Sequence, residues 1–320
     1  MPDPCYARLA ESGELERRCR AAADLLRACT LCPRACGVDR TAGEVGWCGA
    51  GASARVYRHM AHHGEEPPIS GHRGSGVIFF SFCTMACVYC QNFVFSRLHE
   101  GRDRSVPELA LMMGSLARLG CHNLNLVSGT QHLPAILDSL LHAYRDGAAL
   151  PVVWNTSGYE SPVALALLDG VVDVYLADLR YSSPSAASKY SDAPDYVEVS
   201  RAALVAMQRQ VGSLAMDADG IARRGLLVRH LVLPNGLSGT REALRFLARE
   251  VGSGTYVSLM SQYYPAFRAD SIPELSRGIT GEEWEEAKAA LEDEGLVNGW
   301  IQALPGGPSP MAGTELPPDG

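Results

Sequence analysis

Residues 79–96 read FFSFCTMACVYCQNFVFS, which spaces Cys83, Cys87 and Cys90 as C-x3-C-x2-C with no fourth cysteine close behind. A structural zinc site closes four ligands around its ion. Three thiolates on one short loop leave a position open. Soft thiolates select zinc, copper(I) or iron–sulfur clusters. A four-iron cluster held by three cysteines keeps one iron free for another ligand. The other reading of this spacing is a zinc ion completed by a distant side chain.

A second group, Cys29-x2-Cys32-x3-Cys36-x11-Cys48, places four thiols in twenty residues around Pro33, Gly37, Gly43 and Gly46. Such a set closes a tetrahedral zinc or holds an auxiliary cluster, and the spacing does not separate the two. Cys5, Cys19 and Cys121 stand apart and read as ordinary buried thiols. The N-terminal residues lack the charged-then-apolar pattern of a signal peptide, and no apolar run approaches a membrane span. The expectation is a cytoplasmic protein without membrane contact, where ten cysteines read as metal or redox ligands rather than disulfides. A formal charge of −8 with no basic stripe argues against nucleic acid.

From residue 76 the pattern becomes that of alternating strands and helices. Six apolar runs, at 76–82, 123–127, 151–155, 172–179, 226–233 and 255–260, read as strands buried on both faces. Helical stretches separate most of them, two opening on capping boxes, Ser105 with Glu108 and Thr280 with Glu283. Another, near 132–144, sets Leu133, Ile136, Leu137, Leu140 and Leu141 on one face. Six such units predict an α/β fold, a partial (β/α)6 TIM-like barrel whose functional groups gather at the C-terminal ends of its strands. The expected division is a helix and Cys-rich metal-binding extension over 1–75, the barrel over 76–304, and a disordered Pro/Gly-rich tail over 305–320.

The C-x3-C-x2-C run, with Tyr89 before its last cysteine, resembles the radical S-adenosylmethionine (SAM) superfamily. With CTLCPRACGVDR, EEPPISGHRGSGVIFFSFCTMACVYCQN, NTSGYE, LADLRYS, RHLVLPN and SLMSQYYP, it resembles the branch related to the pyruvate formate-lyase activating enzyme, over about residues 29–300. The resemblance implies a 4Fe–4S cluster on Cys83, Cys87 and Cys90 and SAM on its open iron. It implies a 5′-deoxyadenosyl radical that abstracts hydrogen in an oxidoreductase-like reaction, with flavodoxin or ferredoxin as electron donor. Activation of a glycyl radical enzyme, with a protein as substrate, is one form of that chemistry. Modification of a small molecule or peptide is another.

The same resemblance carries cofactor-binding roles to Tyr89, Asn155, Asp178, Arg180 and Arg229. Arg180 stands where the activating enzymes have Lys. Where many members carry Gly-Gly-Glu, this chain reads LVSGTQHLP, which leaves Ser128, Thr130 or Gln131 to serve. In HMAHHGEEPP, His63 or Glu65 either faces the site or belongs to a polar loop. Tyr263 and Tyr264 either line the pocket or pack. A non-catalytic iron–sulfur electron-transfer protein or zinc-binding protein is the alternative function.

Overall fold

A computed structural model describes residues 4–304; the expected tail over 305–320 lies outside them. Ten strands are present among the described residues: β1 (Ala54–His62), β2 (Ser75–Phe80), β3 (Arg102–Arg104), β4 (Leu124–Val127), β5 (Val152–Thr156), β6 (Val174–Asp178), β7 (Ala215–Met216), β8 (Ala222–Leu231), β9 (Tyr256–Met260) and β10 (Gly299–Ile301). The strand order is β10-β9-β8-β6-β5-β4-β2-β1-β3, with β7 pairing β8 off that path. Every pair from β2 to β10 along the path is parallel. The antiparallel β1 and β3 extend one edge.

The six apolar runs are β2, β4, β5, β6, β8 and β9. Their residues are buried because the sheet is covered on both sides: Ile78, Leu126, Trp154, Tyr175 and Val228 are at most 1% exposed. The helix Leu133–Arg145 seats Ile136, Leu137, Leu140 and Leu141 in that core. Each such side chain contributes about 1.5–3 kcal/mol by leaving water. Both expected capping boxes form, Ser105 with Glu108 and Thr280 with Glu283.

The sheet ends do not pair with each other, so the sheet is open. It nevertheless curls. One cavity of about 320 Å³ is lined together by Phe79 of β2, Val127 of β4, Asn155 of β5, Asp178 of β6, Arg229 of β8, Ser258 of β9 and Trp300 of β10. A flat sheet of this width would not bring its third and seventh neighbours to one hollow. The cavity lies at the C-terminal ends of the parallel strands.

Four elements had no apolar-run signal. β1, in ARVYRHMAH, buries Ala54 and Val56 alternately and leaves Arg58 exposed and His59–His62 half-buried, as an antiparallel strand near an edge does. It takes His59–His62 out of the polar loop expected there and pairs residues of the 1–75 segment with β2. β3, β7 and β10 have three residues or fewer, too short for a periodicity.

Candidate active site

β2 delivers the three-cysteine loop. Phe82, two residues past its end, has φ +69°, a left-handed conformation that a bulky residue adopts only where its surroundings hold it. There the Phe82 N–H donates to the Phe95 carbonyl at 3.0 Å, and the turn points Cys83 across the rim. The loop is strapped to the helix Pro184–Ser191: Ala86 N–H donates to Ser191 O at 3.0 Å and Val88 N–H to Tyr190 O at 2.9 Å.

All three sulfurs receive or share hydrogen bonds. Met85 N–H points at Cys83 Sγ (3.4 Å), Ser191 Oγ–H at Cys87 Sγ (2.9 Å) and Arg180 Nη1 at Cys87 Sγ (3.4 Å); Cys90 Sγ lies 3.2 Å from Ser96 Oγ. Burial, with the neighbouring Cys87 thiol adding to it, pushes Cys83 up to about 12 and raises Cys90. As metal-free thiols these groups are neutral, and taking up a metal means releasing protons.

Donors aimed at sulfur, with no carboxylate in the set, suit a soft iron–sulfur cluster. Among the described residues, no three His, Cys, Asp or Glu side chains converge closely enough to hold a single metal ion.

Beside the loop the cavity has a smaller lobe of about 140 Å³, lined by Tyr89, Cys90, Asp178, Arg180 and Arg229 among others. Arg180 forms an ion pair with Asp178 while its other nitrogen approaches Cys87. Burial opposes the guanidinium charge, but Asp178 and Cys87 outweigh it and hold its pKa above the usual range. Gly158, φ +78°, lets the β5 loop pass the Asp178 carbonyl, where a Cβ would sit 2.4 Å from that oxygen. Tyr89 is buried edge-on to Tyr181 and Tyr263.

At the far wall, Arg229 grips two carboxylates. Its Nε donates to Glu66 Oε1 at 2.7 Å, its Nη2 to Glu66 Oε2 at 2.6 Å, and Nη2 also bonds Glu65. All three side chains are at most 15% exposed. Burial favours a protonated Glu66, yet the Arg229 charge and hydrogen bonds prevail and hold it below the usual carboxylate range. Asn125 Nδ2 donates to Glu65 Oε1 at 3.1 Å.

Tyr89, Asn155, Asp178, Arg180 and Arg229 thus face one connected cavity. Glu65 and His62 join it; His63 does not, and packs toward Gly74. Of the three residues standing in for Gly-Gly-Glu, only Ser128 lines the cavity, at φ +58°. Thr130 donates to Glu160 Oε1 at 2.7 Å, and Gln131 Nε2 binds the Ser81, Phe82 and Ser128 carbonyls. Both are committed to structure. Tyr263 packs and donates to Leu275 O, Tyr264 is exposed, and their neighbour Gln262 lines the cavity instead. Glu66 and Gln91 were given no role from the sequence; Glu66 could be found only by pairing it with Arg229, 163 positions away.

The four-cysteine segment sits on the same rim. Cys32 and Cys48 each feel the charge of Cys29 and Cys36, so the four thiols are neighbours. Burial pushes Cys32 up to about 12 and raises Cys48. Four ties bind the segment to rim loops: Arg34 Nε to Thr84 O (3.1 Å), Arg40 Nη2 to Gln131 O (2.8 Å), Ser161 Oγ to Leu31 O (2.8 Å) and Trp47 Nε1 to Asp192 Oδ2 (3.2 Å).

No protein-family model matches the sequence. An uncharacterized protein of Methanocaldococcus jannaschii, MJ0674, is 29% identical over 293 residues, 88% of this chain and 79% of that protein. The structure of HydG, a maturase of the FeFe-hydrogenase, aligns with a TM-score of 0.46 and 13% identity over 68% of this chain and 49% of that one. The chain therefore spans about half the length of that structure, and its function rests on its own residues. No helix among the described residues is long and apolar enough to cross a membrane.

Proposed function

We propose that the chain is a radical SAM enzyme. The observation that carries this reading is the opening of the Cys83–Cys87–Cys90 loop onto a cavity lined by charged and amide strand-end side chains. A cluster held by Cys83, Cys87 and Cys90 would supply, after one-electron reduction, the cleavage of SAM to a 5′-deoxyadenosyl radical. The chain's own part is to hold, orient and shield. Cys83, Cys87 and Cys90 are the cluster ligands. Asp178 and Asn155 present acceptors suited to an ammonium or ribose hydroxyl, and Ser128 takes the place of the missing Gly-Gly-Glu. Arg180 sets the local charge beside Cys87. Arg229, locked between Glu65 and Glu66, keeps the far wall rigid.

A purely electron-transferring or zinc-binding protein has no use for a cavity of this size lined by paired charges beside its thiols. Membership of the branch related to the pyruvate formate-lyase activating enzyme, and hydrogen abstraction from a backbone glycine of a partner protein, rest on the resemblance of DLR, NTSGYE and RHLVLP at the strand ends. The four N-terminal cysteines hold a second metal, zinc or an auxiliary cluster. The site of action is the cytoplasm.

The test is anaerobic reconstitution, reduction, addition of SAM and quantification of 5′-deoxyadenosine. Wild-type protein forms it, and a Cys83→Ala, Cys87→Ala, Cys90→Ala triple variant does not. A wild-type protein that binds no iron at these three cysteines would rule the function out.

A further inference from the structure

Arg40 is 3% exposed, and no other arginine or lysine among the described residues is as deeply buried. A charge taken out of water loses its hydration, so a buried guanidinium ordinarily has a carboxylate beside it. Arg180 has Asp178, and Arg229 has Glu65 and Glu66. Among the described residues Arg40 has no such partner, and every acceptor it meets is neutral. Its Nε donates to Gly51 O at 3.1 Å, its Nη2 bonds the same oxygen and Gln131 O at 2.8 Å, and its Nη1 points at Cys29 Sγ, 3.7 Å away.

The carboxylates of that region are committed elsewhere. Asp39 accepts from the Thr41 N–H at 2.9 Å and the Ala42 N–H at 3.2 Å, and Glu44 accepts from the Asp39 N–H at 2.7 Å. Asp103, whose charge reaches His132 as that of Arg40 does, pairs with Arg55. What stands beside the guanidinium is sulfur: Cys29 faces Nη1, and the charge also reaches Cys48. Gly46 leaves room for a third thiol of the set, since a Cβ there would lie 2.3 Å from Cys36 Sγ. A neutral thiol does not offset a guanidinium, whereas a metal thiolate does. None of the four cysteines lines the cavity.

Resting on the reading of Cys29, Cys32, Cys36 and Cys48 as a metal centre, we propose that all four bind as thiolates in a centre of net charge −2, with Arg40 as its built-in counter-charge. Uptake of a divalent ion forms four metal–sulfur bonds and releases four thiol protons to solvent. Four negative charges then stand against two positive ones. The sulfurs do not stand close enough to hold one ion beforehand, so uptake draws them together beside a guanidinium that Gly51 and Gln131 keep in place. A four-iron cluster of core charge +2 gives the same count. Zinc and an iron–sulfur cluster therefore share this chemistry, and the test separates them.

The test uses the Cys83→Ala, Cys87→Ala, Cys90→Ala triple variant as parent, so that metal on the N-terminal set is read alone. Zinc affinity is measured by competition with a chromophoric chelator, proton release on zinc uptake at pH 7 is counted, and a parallel sample is reconstituted with iron and sulfide. Arg40→Met in this parent weakens zinc binding about tenfold or more, the loss expected when a partner behind a metal ligand is removed. Arg40→Lys, which keeps the charge, recovers most of it. Where the parallel sample gains the absorption of an iron–sulfur cluster, its midpoint potential moves negative in Arg40→Met and back in Arg40→Lys. Circular dichroism of the metal-free proteins checks that both variants fold. Affinity and potential unchanged in Arg40→Met overturn the proposal, as do equal losses in Arg40→Met and Arg40→Lys. Release of fewer than four protons per zinc by the parent overturns it without recourse to either variant. The metal reading is scored separately: a parent that binds no metal, or binds it equally well after Cys29→Ala with Cys48→Ala, fails that reading and the proposal with it.

Discussion

Arg180 joins Asp178 to Cys87: one nitrogen of its guanidinium pairs with the carboxylate, and another lies 3.4 Å from the sulfur. A fixed positive charge beside a ligating thiolate stabilises the reduced, more negative form of whatever that thiolate binds.

Arg180→Met is expected to keep the iron content of the reconstituted protein while moving its midpoint potential to more negative values. Potentiometric titration followed by electron paramagnetic resonance checks this. Arg180→Lys, which keeps the charge but not the planar fork, should fall between. A potential unmoved in both variants would mean that Arg180 serves Asp178 alone.

Arg229 pairs with both Glu65 and Glu66 across the far wall. Arg229→Met leaves two buried carboxylates with no counter-charge, and removing one partner from a buried ion pair costs about 3–5 kcal/mol. Urea denaturation at neutral pH should show a loss of that order. Adding Glu65→Gln and Glu66→Gln to Arg229→Met should recover a large part of it, which would identify the unpaired charges as the cause.

The acid limb of stability has an identifiable origin. Burial holds His132 at about 3 and His230 at about 4, both below the ordinary 6.5. The unfolded chain takes up these protons below about pH 6.5 while the folded chain refuses them. Stability is therefore full above that pH and falls as pH drops toward 4, by roughly 1.4 kcal/mol per pH unit for each histidine. Glu66, with its lowered pKa, adds a loss at still lower pH as the Arg229 pairing is protonated away. His132→Gln should flatten the slope between pH 6.5 and 4 in denaturation curves measured across that range.

The metal proposed for Cys29, Cys32, Cys36 and Cys48 would add to the hydrogen bonds that hold the 29–51 segment on the rim. Cys29→Ala with Cys48→Ala is expected to loosen the Arg34–Thr84 and Ser161–Leu31 ties without unfolding the sheet. Limited trypsinolysis should cut at Arg27, Arg34 or Arg40 about tenfold faster, the effect of an opening made easier by about 1.4 kcal/mol, while circular dichroism stays near wild type. Unchanged cleavage would mean that backbone packing alone seats the segment.

Much of this arrangement was legible in the residues. Strands buried on both faces announce themselves as unbroken apolar runs, and the two cysteine spacings single out two segments that the structure brings to one rim. β1 hid because an antiparallel strand near an edge mixes Val56 with Arg58 and His59. The Glu65–Arg229–Glu66 lock hid because its members lie some 163 positions apart, and nothing local records that distance. Thr130 and Gln131 looked like site residues because a sequence gives a side chain's chemistry but not its direction; the turn before helix Leu133–Arg145 aims both into the protein.

The four ties of the N-terminal segment reach residues 84, 131, 161 and 192. The 29–51 segment therefore cannot complete its four ties until residue 192 has been made. Synthesis runs from the clasp to the vessel, but assembly runs the other way, the clasp closing fully only on a rim already made. In the growing chain Cys29, Cys32, Cys36 and Cys48 stay open to metal, or to oxidation, until that rim has formed.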